Sequence, residues 1–116
     1  MLSSLIDQKG FTQEEVSAAT SISKSTISKY INNLTKPKLE YIIAISVALK
    51  LSYFHSTELL KRCNIFLYSD DEIIVTYRYF LSECHSCSEI TVDWCNEYLK
   101  NHSLPLLVPN KNKQDL

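Results

Sequence analysis

The sequence predicts an all-α fold, and three observations carry that prediction. A single Gly and three Pro leave little material for the tight turns that sheets need. Core-facing positions recur at helical spacing, as in Leu39, Ile42, Ile45, Ser46 and Leu49 and again in Ile73, Ile74, Tyr77, Phe80 and Leu81, all of them apolar but Ser46. Helix-start signals precede several of these stripes, the clearest being Thr12 with Glu15 three residues on, the pattern of a capping box. At 116 residues and 45% hydrophobic content the chain holds one domain, or one small domain with a helical extension, and can bury a core.

In chain order, Leu2, Leu5 and Ile6 give a short apolar face, so Leu2 to Gln8 is predicted as a first helix. Gly10, the only glycine, stands where that helix should end and fits a left-handed cap. Phe11 precedes the Thr12 cap and can staple onto Val16. From Thr12 a second helix is predicted with Val16 and Ala19 inward, then a turn of Thr20, Ser21 and Ile22. Ser23 caps a third helix over Lys24 to Asn32. Its apolar stripe is Ile27, Tyr30 and Ile31, and Lys24, Ser25, Thr26, Ser28 and Lys29 occupy its other faces. A short helix with one dry side and one lysine- and hydroxyl-bearing side, braced across a preceding helix, suits a DNA major groove.

The stretch FTQEEVSAATSISKSTISKYINNLTKPKLEYIIAISVALKLS resembles the Cro/repressor-type, or Xre, helix-turn-helix family. The shared pattern is a Thr-Gln-Glu-Glu opening, a small residue in the first helix, Ser-x-Ser-Thr-Ile-Ser in the recognition helix, a basic loop ending in Pro, and a long apolar helix. The resemblance covers about residues 1–52 and implies a lambda-repressor-like helix-turn-helix bundle, here followed by a C-terminal helical extension. Two positions depart from the pattern: the family usually has an apolar residue where Thr20 stands and Gly where Ser21 stands, which predicts a slightly different turn.

The resemblance also implies that Gln13 touches a phosphate and steadies the residue that opens the recognition helix, and that the loop after that helix lies against the DNA backbone. Read from the residues themselves, Ser23, Lys24, Ser25 and Thr26 stand at a helix N-terminus that favours phosphate and reaches base edges. Lys24 can donate to guanine O6 and N7, and Thr26 can offer its methyl to thymine. Ser28 and Lys29 lie one turn on and meet groove or backbone. Asn32 and Asn33 contact phosphate or only end the helix. Lys36 and Lys38 flank Pro37, which stops helix propagation, and a phosphate contact from either needs only charge.

Leu39 to Leu51 is predicted as a fourth helix, apolar on nearly every side, so a second layer has to cover it: the C-terminal segment, another subunit, or both. Because one recognition helix makes few base contacts, two copies reading half-sites one DNA turn apart are expected. Tyr41, Ala44, Val47 and Ala48, together with the C-terminal helices, are the expected contact of a homodimer. A fifth helix is predicted from Ser56 or Thr57 to Cys63, a sixth from the acidic Ser69–Glu72 start to about Cys84, and a seventh over about Glu89 to Asn101 with Ile90, Trp94, Cys95, Tyr98 and Leu99 inward. Ile65 to Tyr68 is an apolar run too short to assign. Leu104 to Pro109 cannot be helix and is apolar enough to lie in a groove. Residues 53–109 thus read as a helical region for dimerisation or partner binding, and residues 110–116 as a frayed tail.

Charge is divided unevenly. The chain is −1 overall, but residues 1–50 carry a net +2 and residues 51–116 a net −3, and four lysines fall between residues 24 and 38. No apolar run reaches the length of a membrane span, and MLSSLIDQKG is too short and polar for a signal peptide, so a cytoplasmic protein with no membrane partner is expected. Cys63, Cys84, Cys87 and Cys95 are then reduced thiols. A zinc site drawn from Cys84, Cys87, Cys95, His85 and His102 has poor spacing, so neither metal nor cofactor is expected. No nucleophile, base and orienting group can be named together, which argues against an enzyme. The expected function is a sequence-specific, double-stranded-DNA-binding transcriptional regulator of bacterial or phage type. The alternative, favoured by the acidic C-terminal half, is a helix-turn-helix-derived protein-binding module, antirepressor or antitoxin-like, that does not bind DNA.

Overall fold

A computed structural model describes residues 1–109, and the expected tail at 110–116 lies outside the described residues. Seven helices and no strand occur among them: α1 (Leu2–Gln8), α2 (Gln13–Thr20), α3 (Lys24–Ile31), α4 (Leu39–Ala48), α5 (Tyr53–Arg62), α6 (Glu72–Glu83) and α7 (Val92–Asn101). The all-α prediction and the order of the helices hold.

Local chemistry sets most of the ends. Gly10 takes φ +74° after α1, in open space. Ser23, Ser52 and Thr91 each accept a backbone N–H of the first turn of α3, α5 and α7. Two starts differ from expectation for this reason. α5 begins at Tyr53 because Ser52, not Ser56 or Thr57, is the cap; Ser56 is instead buried inside the helix. α7 begins at Val92 because Thr91 accepts from Trp94 N–H. α4 stops at Ala48, short of Leu51, because Lys50 turns to φ +54° and Leu51 N–H closes back onto Ser46 O at 3.0 Å.

α4 is the hub. It packs against α2 on the N-terminal side and against α5, α6 and α7 on the C-terminal side. Ile42 through Val47 are all buried, and one hydrophobic cluster runs from Leu2 to Val108 through both halves of the chain. Two of the four residues expected at a homodimer contact are enclosed by this packing. Ala44 and Val47 have no exposed surface at all, and Tyr41 and Ala48 are half-buried. The chain's own C-terminal helices supply the second layer, so the central part of that face is not available to another copy.

The C-terminal cover is held by aromatic packing and by one lysine. Phe80 of α6 meets Trp94 and Tyr98 of α7 edge-on at 6.1 and 5.6 Å between centroids, geometry that the ring quadrupoles favour. Lys50 Nζ reaches across from the end of α4 and donates to Cys87 O at 2.9 Å and to Ile90 O, while Lys50 O accepts from His85 Nδ1 at 2.9 Å. The proline-bearing segment lies on its own chain: Leu107 and Val108 are buried, and Leu107 N–H donates to Asn96 Oδ1 at 2.8 Å. Cys84 and Cys95 are buried free thiols. Burial pushes Cys84 up and drives Cys95 to about 12, so neither forms a thiolate at neutral pH.

Candidate nucleic-acid interface

The interface is built on a turn of hydroxyls. Thr12 and Glu15 form the full capping box at the start of α2: Glu15 N–H donates to Thr12 Oγ1 at 3.1 Å and Thr12 N–H to Glu15 Oε1 at 2.9 Å. At its end Thr20, not Ala19, points inward. Thr20 is fully buried and Ala19 is exposed. The buried hydroxyl is satisfied twice, donating to Val16 O at 2.8 Å and accepting from Ile22 N–H at 3.1 Å. Ser17 Oγ donates to Ile22 O at 2.6 Å, so both polar atoms of the Ile22 backbone are held by side chains of α2. Ser21 adopts the left-handed conformation, φ +67°, where the family usually has glycine. The two departures from the family pattern therefore work together: a serine tolerates the turn while a threonine hydroxyl ties it down.

This turn sets α3 against α2, with Ile22 and Ile27 buried and Tyr30 nearly so. Burial raises the Tyr30 phenol above its ordinary value and marks the dry side of α3. The opposite flank is open. Lys24, Ser25 and Lys29 sit on that flank, with Asn32, Asn33, Lys36 and Lys38 beyond them. All seven are exposed, with Arg62, Cys63 and Asn64 of the C-terminal half lying beside Asn33 and Lys36 in one shallow groove. Gln13, Ser23, Thr26 and Ser28 lie at the margins.

Several of these side chains already have local partners. Ser23 Oγ accepts from Thr26 N–H at 3.2 Å and donates to Thr26 Oγ1 at 2.8 Å, so Ser23 is first a cap. Asn32 Nδ2 donates weakly to Ser28 Oγ at 3.4 Å. Lys38 Nζ lies 5.2 Å from the Tyr41 ring centroid. Lys24 Nζ sits 3.2 Å from Glu14 Oε1, a pair that sequence reasoning misses. The two are ten residues apart on different helices, and no periodicity rule brings them together. Being exposed, the bridge is worth at most about 1 kcal/mol and can be exchanged for a stronger anion. Also missed is Leu34, 71% exposed in the loop after α3.

Among the described residues no group of three or more His, Cys, Asp or Glu side chains is placed to hold a metal, and no helix is long and apolar enough to cross a membrane. No curated protein matches the chain and no solved structure does. A family model described as Helix-turn-helix matches residues 2–54, the span from α1 through α4 into the first residues of α5. Over that segment, a little under half of the chain, the sequence is similar to the helix-turn-helix family, as the Cro/repressor-type resemblance of the same residues leads one to expect.

Proposed function

We propose that the protein is a sequence-specific transcriptional regulator that acts in the cytoplasm on a double-stranded DNA operator, α3 entering the major groove and two copies reading two half-sites. The observation that supports this most is the open flank of α3, with Lys24, Ser25 and Lys29 beside the lysines of the 33–38 loop. In this reading Ser25 and Lys29, free of local side-chain hydrogen bonds among the described residues, are the first candidates for groove contact. Lys24 exchanges Glu14 for a phosphate or a guanine edge. Lys36 and Lys38 hold the backbone, with Gln13, Asn32 and Asn33 beside them. Ser23, Thr26 and Ser28 shape the helix end more than they reach from it. Residues 1–52 carry the DNA contact, and residues 53–109 cover α4 and carry contacts to protein.

The test is fluorescence anisotropy on an operator selected from random sequence. Lys24→Ala with Lys29→Ala should leave helical circular dichroism unchanged and weaken binding at least tenfold. It should also lower the salt slope by up to about 1.8 per copy, since each phosphate no longer neutralised removes about 0.9. Full-strength binding by that variant would reject α3 as the recognition helix. The alternative, a protein-binding module that does not bind DNA, draws support from exposed aromatic residues in the 53–79 region. It requires no salt-sensitive retention on heparin or DNA resin.

A further inference from the structure

With the centre of α4 buried, the surface through which two copies would meet has to lie elsewhere. Among the described residues, six of the eight exposed large apolar side chains fall between residues 53 and 79. Three of them, Tyr53, Phe66 and Tyr68, line one groove of about 390 Å3 between α5 and the segment that follows it. That segment alternates. Leu67 is buried, while Phe66 and Tyr68 point out, 49% and 82% exposed, with rings stacked at 5.6 Å. It is also pinned, because Arg78 Nη1 donates to Leu67 O at 2.7 Å and to Ser69 O at 2.9 Å. The aromatic pair is therefore presented by an anchored backbone, and exposed rings of this size on a rigid surface mark a protein contact.

We infer that the occupant of this groove is a second copy of this chain, related by a twofold axis through the Phe66–Tyr68 segment. The charge pattern supports self-association. Lys61 of α5 and Arg78 of α6 line the groove, and Asp70, Asp71 and Glu72, all exposed, follow Tyr68 in the chain just outside it. Among the described residues none of those three acids has a cation within 4.0 Å. Among the described residues Lys61 is held only by Glu58, at 3.2 Å on its own helix. A groove with basic and aromatic lining beside an exposed acidic run is complementary to itself when turned by a twofold axis, the requirement of an isologous dimer. The aromatic rings of one copy fill the groove of the other, and Lys61 of each faces the acidic run opposite. This rests on the dimer reading above and names its surface.

The experiment is sedimentation velocity on the full chain from about 1 to 100 µM, a range that brackets weak dimers, repeated with operator DNA. Wild type should dimerise. Phe66→Ser with Tyr68→Ser should be monomeric with unchanged helical circular dichroism, since both side chains are exposed. Lys61→Glu should weaken the dimer about three- to fivefold, as a rim charge does. Asp71→Lys added to it should restore the wild-type constant. A wild-type dimer that survives the double serine substitution would overturn the surface while keeping the dimer reading. A wild-type chain that stays monomeric at 100 µM and binds its operator as one copy would overturn both. A monomer that becomes a dimer only when residues 110–116 are removed would give the groove to the chain's own tail in the intact protein and overturn the inference.

Discussion

Thr20→Val tests how the turn before α3 is held. The substitution keeps the shape and the buried methyl and removes only the hydroxyl. That hydroxyl donates to Val16 O and accepts from Ile22 N–H. Val16 O lies within α2 and can keep its helical bond, so losing the donor there costs little. Ile22 N–H has no other acceptor among the described residues, and Ile22 is buried. An orphaned buried N–H costs about 1–3 kcal/mol. The added buried methyl returns part of that, about 1 kcal/mol. Taking the middle of the first range, the expected net loss is about 1 kcal/mol, or roughly 4–8 °C in Tm for a domain near 100 residues. Urea unfolding followed by circular dichroism measures it. Thr20→Ser makes the opposite change, keeping both hydrogen bonds and losing only the methyl, and so separates packing from hydrogen bonding at this position. Ser17→Ala removes the other clamp, on Ile22 O. The double variant should depart from additivity by at least about 0.5 kcal/mol, because both hydroxyls hold one residue. If Thr20→Val were as stable as wild type, or the two substitutions simply added, the hydroxyl account of the turn would be wrong.

Three further outcomes follow from the same structure. Ser21→Gly should stabilise the fold by about 0.5–1 kcal/mol, because a side chain at φ +67° carries strain that glycine lacks; thermal unfolding reads the gain. Half-buried Cys63 and Cys87 should react with a thiol reagent at pH 8 well before buried Cys84 and Cys95, which should label only as fast as the protein opens; peptide mapping after timed quenching separates them. Stability should fall on the alkaline side. Burial holds Cys95 and Tyr77 each to about 12, above the ordinary thiol and phenol values, so the folded chain keeps protons that the unfolded chain releases. Their stabilising contribution is complete below about pH 8.5 and is lost progressively as pH rises toward 12, which denaturant midpoints across that range would register.

How much of the structure is legible in the sequence varies with the range of the interaction. The Thr12–Glu15 capping box, the Gly10 turn and the lysines of α3 are visible because each depends on residues within one helical turn of one another, whereas α3 ends at Ile31 on a left-handed Asn33 and not at Pro37. The inward residue at the end of α2 is misread, since Ala19 looks apolar and Thr20 polar. Only the position of Ile22 N–H shows why a threonine is buried there. The start of α5 is placed too late because Ser52 and Ser56 are equally good caps by composition. Which one accepts a free N–H depends on where α4 stops, and that depends on the left-handed turn at Lys50.

The sequence by itself determined the helical class, the helix-turn-helix and the face of α3 that meets solvent, because helical periodicity and end-capping are short-range and directional. The tertiary structure alone decided what covers α4. Hydrophobic burial has no preferred direction, so an apolar face such as Ala44 and Val47 is satisfied equally by a second subunit or by the chain's own α6 and α7. The same absence of direction hid the Lys24–Glu14 bridge and the aromatic groove beside α5, both made by residues that only folding brings side by side.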